Sequence, residues 1–212
     1  MRANLINPLG PRIVLATRSP RRVELLTLVG AHFSTAPVDV DERPVPGERA
    51  ESHVIRLAEA KARAASAASA ADSGGRHPGD VAYVGADTVV TLDRVILGKP
   101  AGPEDAVRML ELLSGRIHEV WTGLFAVDPG DGRSVGGALR SIVKFARLDA
   151  DDVRRYVDSG EPMDKAGAYA VQGYGALFVE AIEGSYSNVV GLPLSYLKHL
   201  LGLLREAPVP KS

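Results

Sequence analysis

The chain of 212 residues lacks cysteine, a surplus of charge of either sign and any long hydrophobic run. The absence of cysteine excludes disulfide bonds, a thiolate nucleophile and cysteine-ligated zinc sites. Lysine and arginine number 25 against 26 aspartates and glutamates, whereas proteins that neutralise nucleic-acid phosphates usually carry a basic surplus. No apolar run reaches the roughly 18 residues of a membrane span, and residues 1–11 lack a signal-peptide core. We therefore expect a cytoplasmic protein with no membrane contact and no stable nucleic-acid partner.

Common catalytic signatures are also missing. The sequence has neither a Walker-type phosphate loop nor the Rossmann glycine fingerprint. Its five histidines are scattered and none is paired at metal-ligand spacing, so we assign none of them a catalytic role. The Ser-Tyr-Ser at 185–187 lacks the glycines of a nucleophile elbow. What remains is a set of carboxylates and basic side chains, with no evident covalent nucleophile.

The arrangement of apolar segments indicates the fold class. Predicted strands and helices alternate in the first half of the chain, and paired strands follow around the turn at 128–132. This order predicts an α/β fold with a mixed sheet, whose ligand crevice lies where strands end. We expect one domain over residues 12–205, an N-terminal extension over 1–11 and a disordered tail over 206–212.

A phosphate-binding turn is one interpretation of the first strand and helix. The apolar run at 13–16 predicts a short buried strand, and Ser19-Pro20 predicts a helix start with serine as its cap. A helix start offers unpaired N–H groups and partial positive charge, which hold an anion well. Three arginines flank this start: Arg18, Arg21 and Arg22. The other interpretation, an ordinary capped surface helix with solvated arginines, stays open on this segment alone.

Two carboxylates are candidates for chemistry. The mostly apolar run at 81–86 predicts a strand that ends just before Asp87, so the Asp87 carboxylate either hydrogen-bonds a turn or faces a cleft. In a cleft, a carboxylate can ligate a divalent metal or deprotonate a water molecule. Glu42 lies in an acidic, proline-rich loop and could supply a second oxygen ligand, with Asp39 and Asp41 as competitors.

Two lysines and a glutamine each allow two interpretations. Lys61 continues the apolar face of a predicted helix, so it either snorkels at the rim of the core or points into a cleft. Lys99 follows a glycine at a predicted strand end and either contacts phosphate or lies on the surface. Gln172 lies among small residues and offers a donor and an acceptor to a base edge, unless its loop is only structural.

Six segments are distinctive: LATRSPRRVELL (15–26), GADTVV (85–90), LGKP (97–100), LSGR (113–116), residues 159–173 and GSYSNVVGLP (184–193). Taken together, these segments resemble the Maf family of nucleoside triphosphate pyrophosphatases. The resemblance covers nearly all of residues 12–205 and leaves out the first eleven residues, the tail and the Ala/Ser/Gly-rich insert at 66–80. Thr17 departs from the serine usual in the family, but both carry a hydroxyl and we expect little effect.

The resemblance implies a two-lobed α/β fold with a central cleft, similar to inosine triphosphate pyrophosphatases, and often a homodimer. It implies hydrolysis of a nucleoside triphosphate to the monophosphate and pyrophosphate with a divalent cation, Mg²⁺ or Mn²⁺. The family's general base maps to Asp87, which with Glu42 would also bind the metal, and triphosphate oxygens are expected at the helix start at Ser19. Substrate-selecting positions map to Arg21, Thr88 and Gln172, and the family's lysines in the cleft map to Lys61, Lys99 and Lys165.

The loop that carries Gln172 indicates a subgroup. Residues 164–169 resemble the enzymes acting on dTTP, UTP and related or modified pyrimidine nucleotides, whereas the 7-methyl-GTP group carries a different loop. Such an activity would keep non-standard nucleotides out of nucleic acids. The alternative is a non-catalytic nucleotide-binding regulator of cell division, since the family has been linked to arrest of septum formation.

Overall fold

The computed structural model describes residues 7–72 and 80–206. Within these ranges, strands and helices alternate first and paired strands follow, and no helix is long and apolar enough to cross a membrane. In chain order the elements are β1 (Arg12–Ala16), α1 (Pro20–Leu28), β2 (Phe33–Thr35), α2 (Ala50–Asp72), β3 (Val81–Leu92), β4 (Val95–Leu97), α3 (Pro103–Leu113), β5 (Ile117–Val127), β6 (Ser134–Phe145), α4 (Ala150–Asp158), three 3₁₀ helices (Glu161–Asp164, Ala166–Ala168 and Gly173–Phe178), β7 (Val179–Glu183), α5 (Tyr186–Val190) and α6 (Leu194–Glu206).

The strands form one mixed sheet. Its order is β2-β1-β3-β5-β6-β7, and β4 pairs with the far end of β3. β1 runs parallel to both of its neighbours, and the other pairings are antiparallel. The α/β prediction with a mixed sheet is confirmed.

The central strand β3 has a gap along one edge. β1 pairs with it as far as Gly85 and β4 pairs with it only from Val90, while β5 covers the opposite edge across this region. Residues 86–89 therefore have a neighbouring strand on one side only, and Asp87 lies in this gap. The expectation that the strand ends before Asp87 is wrong, because the ladder with β5 carries β3 past this point.

Two large hydrophobic clusters lie along the sheet, and we call the parts of the molecule built around them the two lobes. The first packs β1 and α1 against α6 and includes Ile13, Leu26 and Leu201. The second packs α3 and α4 against β6 and includes Leu110 and Phe145. β3 and β5 contribute residues to both clusters. The lobes therefore share their central strands.

Helix α2 packs very close to the sheet at two glycines. A Cβ atom at Gly85 would lie 1.9 Å from the carbonyl oxygen of Ala58, and one at Gly123 would lie 2.3 Å from that of Val54. No side chain fits at either position, so glycine allows the helix backbone to approach the strands. The predicted apolar face of α2 is buried, and Lys61 on that face is only 8% exposed.

The predicted N-terminal extension, insert and tail lie partly outside the described residues. The predicted N-terminal extension ends in a turn whose Leu9 belongs to the first cluster. α2 continues into the insert at 66–80, and residues 73–79 lie outside the described ranges. The predicted tail at 206–212 also lies outside them, except for Glu206, which ends α6.

Gly85→Ala should destabilise the fold by about 1–3 kcal/mol, the usual cost of overpacking, because the added methyl group collides with backbone atoms. Gly202→Ala is the matched control. Gly202 is exposed within α6 with open space around it, so alanine should stabilise the protein by roughly 0.5–1 kcal/mol. Urea unfolding followed by circular dichroism measures both changes, and a Gly85→Ala protein as stable as wild type would contradict the close packing of α2.

Candidate active site

A cleft of about 840 Å³ opens at the gap in the sheet, between the two lobes. Its walls come from the turn after β1, the acidic loop before α2, the middle of β3 and the segment after α4. All the site residues expected from the sequence line it: Ser19, Arg21, Glu42, Lys61, Asp87, Thr88, Lys99, Lys165 and Gln172. The structure therefore brings them to one place, and their individual roles stay predictions.

The ammonium group of Lys61 lies between two carboxylates. Its Nζ is 2.7 Å from Oδ1 of Asp87 and 2.6 Å from Oε1 of Glu42. The side chains of Lys61 and Asp87 are 10% and 11% exposed, whereas that of Glu42 is 49% exposed. Of the two interpretations of Lys61, the structure therefore supports the one in which it points into the cleft.

The charges around Glu42 favour its ionised form. Burial alone would raise the pKa of Glu42, but the hydrogen bond and positive charge of Lys61 lower it, and Lys99 and Arg22 add to that effect. The pKa of Glu42 is thus below its ordinary value. Glu42 therefore carries its negative charge at neutral pH.

The turn between β1 and α1 offers backbone N–H groups to the cleft. Ser19 occupies the N-cap position and Pro20 is the first helical residue, but the Ser19 hydroxyl makes no capping hydrogen bond. The Thr17 hydroxyl instead accepts a hydrogen bond from the N–H of Ser19, at 3.1 Å. No side chain caps the helix start, so an anion can take that position. Nearby, the guanidinium of Arg21 lies 3.3 Å from the carboxylate of Asp164.

Arg22 joins three parts of the site, a role that its sequence position beside Arg21 did not indicate. Its Nε donates to the carbonyl of Gly191 at 2.7 Å, and its Nη1 donates to the carbonyl of Ala86 at 3.0 Å. Its Nη2 donates to the hydroxyl of Thr88 at 3.1 Å. Burial lowers the pKa of Arg22, against the raising effect of the Asp87 charge. The hydrogen bond to Ala86 satisfies a backbone carbonyl that has no neighbouring strand on this edge of β3.

A buried aromatic contact holds the segment that carries Lys165 and Gln172. The hydroxyl of Tyr169 lies 2.8 Å from Nε2 of His118, and burial lowers the pKa of His118 to about 4. His118 is therefore neutral at neutral pH and braces the loop without adding charge. Lys165 contacts the carboxylate of Asp164 at 2.5 Å, so that its ammonium group is held beside the cleft.

A second histidine, His53, lines the cleft from α2, although the sequence assigned no histidine a role. Its Nδ1 lies 3.0 Å from Oε2 of Glu48, and Arg56 donates to both oxygens of that carboxylate at 2.7 and 2.8 Å. The hydrogen bond from Arg56 outweighs burial and, with that from His53, lowers the pKa of Glu48 to about 2. An ionised carboxylate only accepts, so Nδ1 of His53 carries a proton. The spacing of these three residues along the sequence did not indicate that their side chains form one group.

Comparison with known proteins identifies the family. Residues 12–204 match the family model described as Maf-like protein. The chain belongs to this family. This Maf chain is 50% identical over 182 residues to the dTTP/UTP pyrophosphatase of Geotalea uraniireducens (strain Rf4), covering 86% of this chain and 89% of that protein. It is 45% identical over 204 residues to the dTTP/UTP pyrophosphatase of Anaeromyxobacter dehalogenans (strain 2CP-C), covering 95% and 97%.

Among solved structures, the Maf chain is similar to a nucleoside-triphosphatase / dITP/XTP pyrophosphatase from Mycobacterium abscessus. The identity is 18%, the TM-score is 0.37, and the match covers 66% of this chain and 76% of the other. A likeness this partial has no bearing on the site.

Glu48→Gln should lower the free energy of unfolding at neutral pH, because the variant loses the charge that Arg56 and His53 contact. The folded pKa of Glu48 lies below its ordinary value, so its stabilisation is present above the ordinary pKa of 4.5 and is lost as pH falls toward about 2. Urea midpoints of variant and wild type should therefore converge as the solution is acidified through this range.

Glu59→Gln, on the helix α2 that carries Arg56 and His53, is the control for this prediction. Glu59 pairs with Arg63 one turn away at a more exposed site, and such pairs contribute only about 0.2–0.5 kcal/mol. Two outcomes would contradict this prediction. One is an equal loss of stability in the two variants at neutral pH; the other is a difference in urea midpoint between Glu48→Gln and wild type that does not narrow in acid.

Proposed function

We propose that this protein hydrolyses nucleoside triphosphates to the monophosphate and pyrophosphate, with dTTP, UTP and related pyrimidine nucleotides as substrates. The observation that carries the proposal is the ammonium of Lys61 between the carboxylates of Asp87 and Glu42, in a cleft that an uncapped helix start also lines. The names of the relatives support the substrate class, since proteins 45% and 50% identical to this chain are dTTP/UTP pyrophosphatases.

The donor set fits a hard divalent cation such as Mg²⁺ or Mn²⁺, which the family implies. The described part of the chain has no group of three or more histidine, aspartate or glutamate side chains that could hold a metal. Mg²⁺ is usually bound by one or two carboxylates, with waters and substrate phosphates as its other ligands. Asp87 and Glu42 already converge on one cationic group, so they would hold the ion together with phosphate oxygens. Bound there, the cation would neutralise phosphate charge.

The side chains of the cleft divide the remaining tasks. The start of α1 and Arg21 bind triphosphate oxygens, and Lys99 and Lys165 add positive charge. Asp87 accepts a proton from the attacking water as a new oxygen bond forms at the α-phosphorus. The bond from that phosphorus to the bridging oxygen breaks, and pyrophosphate leaves with its charge spread over the cationic side chains. The amide of Gln172 offers a donor and an acceptor to the base.

A panel of ordinary and modified nucleoside triphosphates, assayed for pyrophosphate with added Mg²⁺ or Mn²⁺, tests activity and substrate class together. We expect release from dTTP and UTP, formation of the monophosphate in equal amount, and loss of both when a chelator removes the cation. Tight binding of dTTP and UTP without turnover would contradict the proposal and favour a non-catalytic nucleotide-binding regulator.

Asp87→Asn should keep the fold and lose at least about 100-fold in turnover, because an amide cannot accept the proton from water. Asp93→Asn is the matched control, since its carboxylate is 70% exposed in the turn between β3 and β4 and pairs only with Arg116 in the described structure. That variant should turn over within about twofold of wild type, as expected for a surface change. An unchanged rate in a folded Asp87→Asn protein would remove Asp87 from the mechanism.

A further inference from the structure

The hydroxyl of Thr88 is connected to a chain of hydrogen bonds that leads away from the cleft. Thr88 is half-buried on β3 and lines the cleft. Its Oγ1 lies 2.9 Å from Oγ1 of Thr122 on β5, which in turn lies 3.0 Å from the backbone carbonyl oxygen of Asn188. On the other side, Nη2 of Arg22 lies 3.1 Å from the same Thr88 oxygen.

The direction of each hydrogen bond in this chain follows from the chemistry of its ends. A carbonyl oxygen only accepts, so the single hydroxyl proton of Thr122 points to Asn188. Thr122 must then accept from Thr88, which places the Thr88 proton toward Thr122. A guanidinium only donates, so Arg22 uses one of the two acceptor positions of the Thr88 oxygen. The Thr88 oxygen is left with one acceptor position and has no proton to donate into the cleft.

The end of this hydrogen-bond chain that lies away from the cleft, at Thr122 and Asn188, is fully buried and held in place. Thr122 and Asn188 are both 0% exposed, so water does not compete for the Thr122 proton. The side-chain amide of Asn188 donates to the carbonyl of Val120 and to the hydroxyl of Ser141, each at 3.0 Å. These bonds hold the Asn188 backbone in place, and the hydroxyl orientations upstream of it are consequently held as well.

We propose that Thr122, which does not line the cleft, is a positioning residue that makes Thr88 an acceptor-only contact for the substrate. This inference rests on the proposed function. The nucleoside group that meets Thr88 must then be a hydrogen-bond donor, either the N3–H of uracil or thymine or a sugar hydroxyl. Phosphate and carbonyl oxygens are excluded as partners of Thr88, because they can only accept.

Thr122→Val tests the proposal, since valine keeps the shape and removes the hydroxyl. The Thr88 proton is then free to turn into the cleft. The readout is kcat/KM for UTP and 3-methyl-UTP, which differ in the N3–H donor, and for dTTP and 2′,3′-dideoxy-TTP, which differ in a sugar hydroxyl. Wild type should prefer the donor-bearing member of one pair, and Thr88→Val should lose about 10-fold on that member alone, the value of one hydrogen bond.

Thr122→Val should show the same selective loss, mainly in KM, and Thr122→Ser should restore wild-type preference. Thr91→Val is the matched control, because Thr91 is a buried threonine on β3 whose hydroxyl contacts Glu119 outside the cleft. It should lower stability without changing either preference. If Thr122→Val does not fold, Thr122→Ala takes its place in the same comparison.

An equal loss on all four nucleotides in Thr88→Val or in Thr122→Val would overturn the inference while leaving the proposed function intact. Full activity of Thr122→Val with unchanged preference would do the same. A wild-type protein that releases pyrophosphate from none of the four would instead remove the proposed function. Equilibrium binding of the same four nucleotides to the same variants then tests the role of Thr122, with the same selective loss expected.

Discussion

The site depends on one group of charges, the ammonium of Lys61 between the carboxylates of Asp87 and Glu42. Charges that leave water are tolerated only when they have partners, and removing one partner leaves the others uncompensated. The three residues come from a helix, the central strand and a loop, so this contact joins three separate elements. The distances in it are set by how closely α2 packs on the sheet, which Gly85 and Gly123 permit. The packing of the core and the chemistry of the cleft are therefore coupled through one helix.

The gap along β3 explains why so many functional groups meet in one place. A strand paired on both edges buries its backbone in the ladder, but residues 86–89 are paired on one edge only. The cleft lies where a second neighbouring strand would be, and Arg22 donates a hydrogen bond there to the backbone carbonyl of Ala86. The same arginine connects this edge to Gly191 at the end of α5 and to Thr88, so the start of α1 and the central strand share one support.

Much of this could be predicted from the sequence, because apolar periodicity and turn residues reflect local physics. The mixed α/β class, the first strand and helix and the buried face of α2 all followed from such patterns. The long β3 did not, since a ladder with a partner far along the chain continued it past Asp87. Motif resemblance brought together the residues that line the cleft. The motifs did not indicate that Arg22 links parts of the site or that His53 contacts Glu48. These side chains meet only in the folded protein, so no pattern of spacing along the sequence marks them.

The continuity of β3 and β5 through both lobes has a mechanical consequence. Opening the cleft like a hinge would bend two strands that are hydrogen-bonded to each other along nine residue pairs from Tyr83 to Thr91, which a paired ladder resists. The floor of the cleft is thus stiff, and admission of a nucleotide falls to the loops and side chains at its rim. Stiffness of this kind keeps the electrostatic environment of the reacting phosphate the same from one turnover to the next.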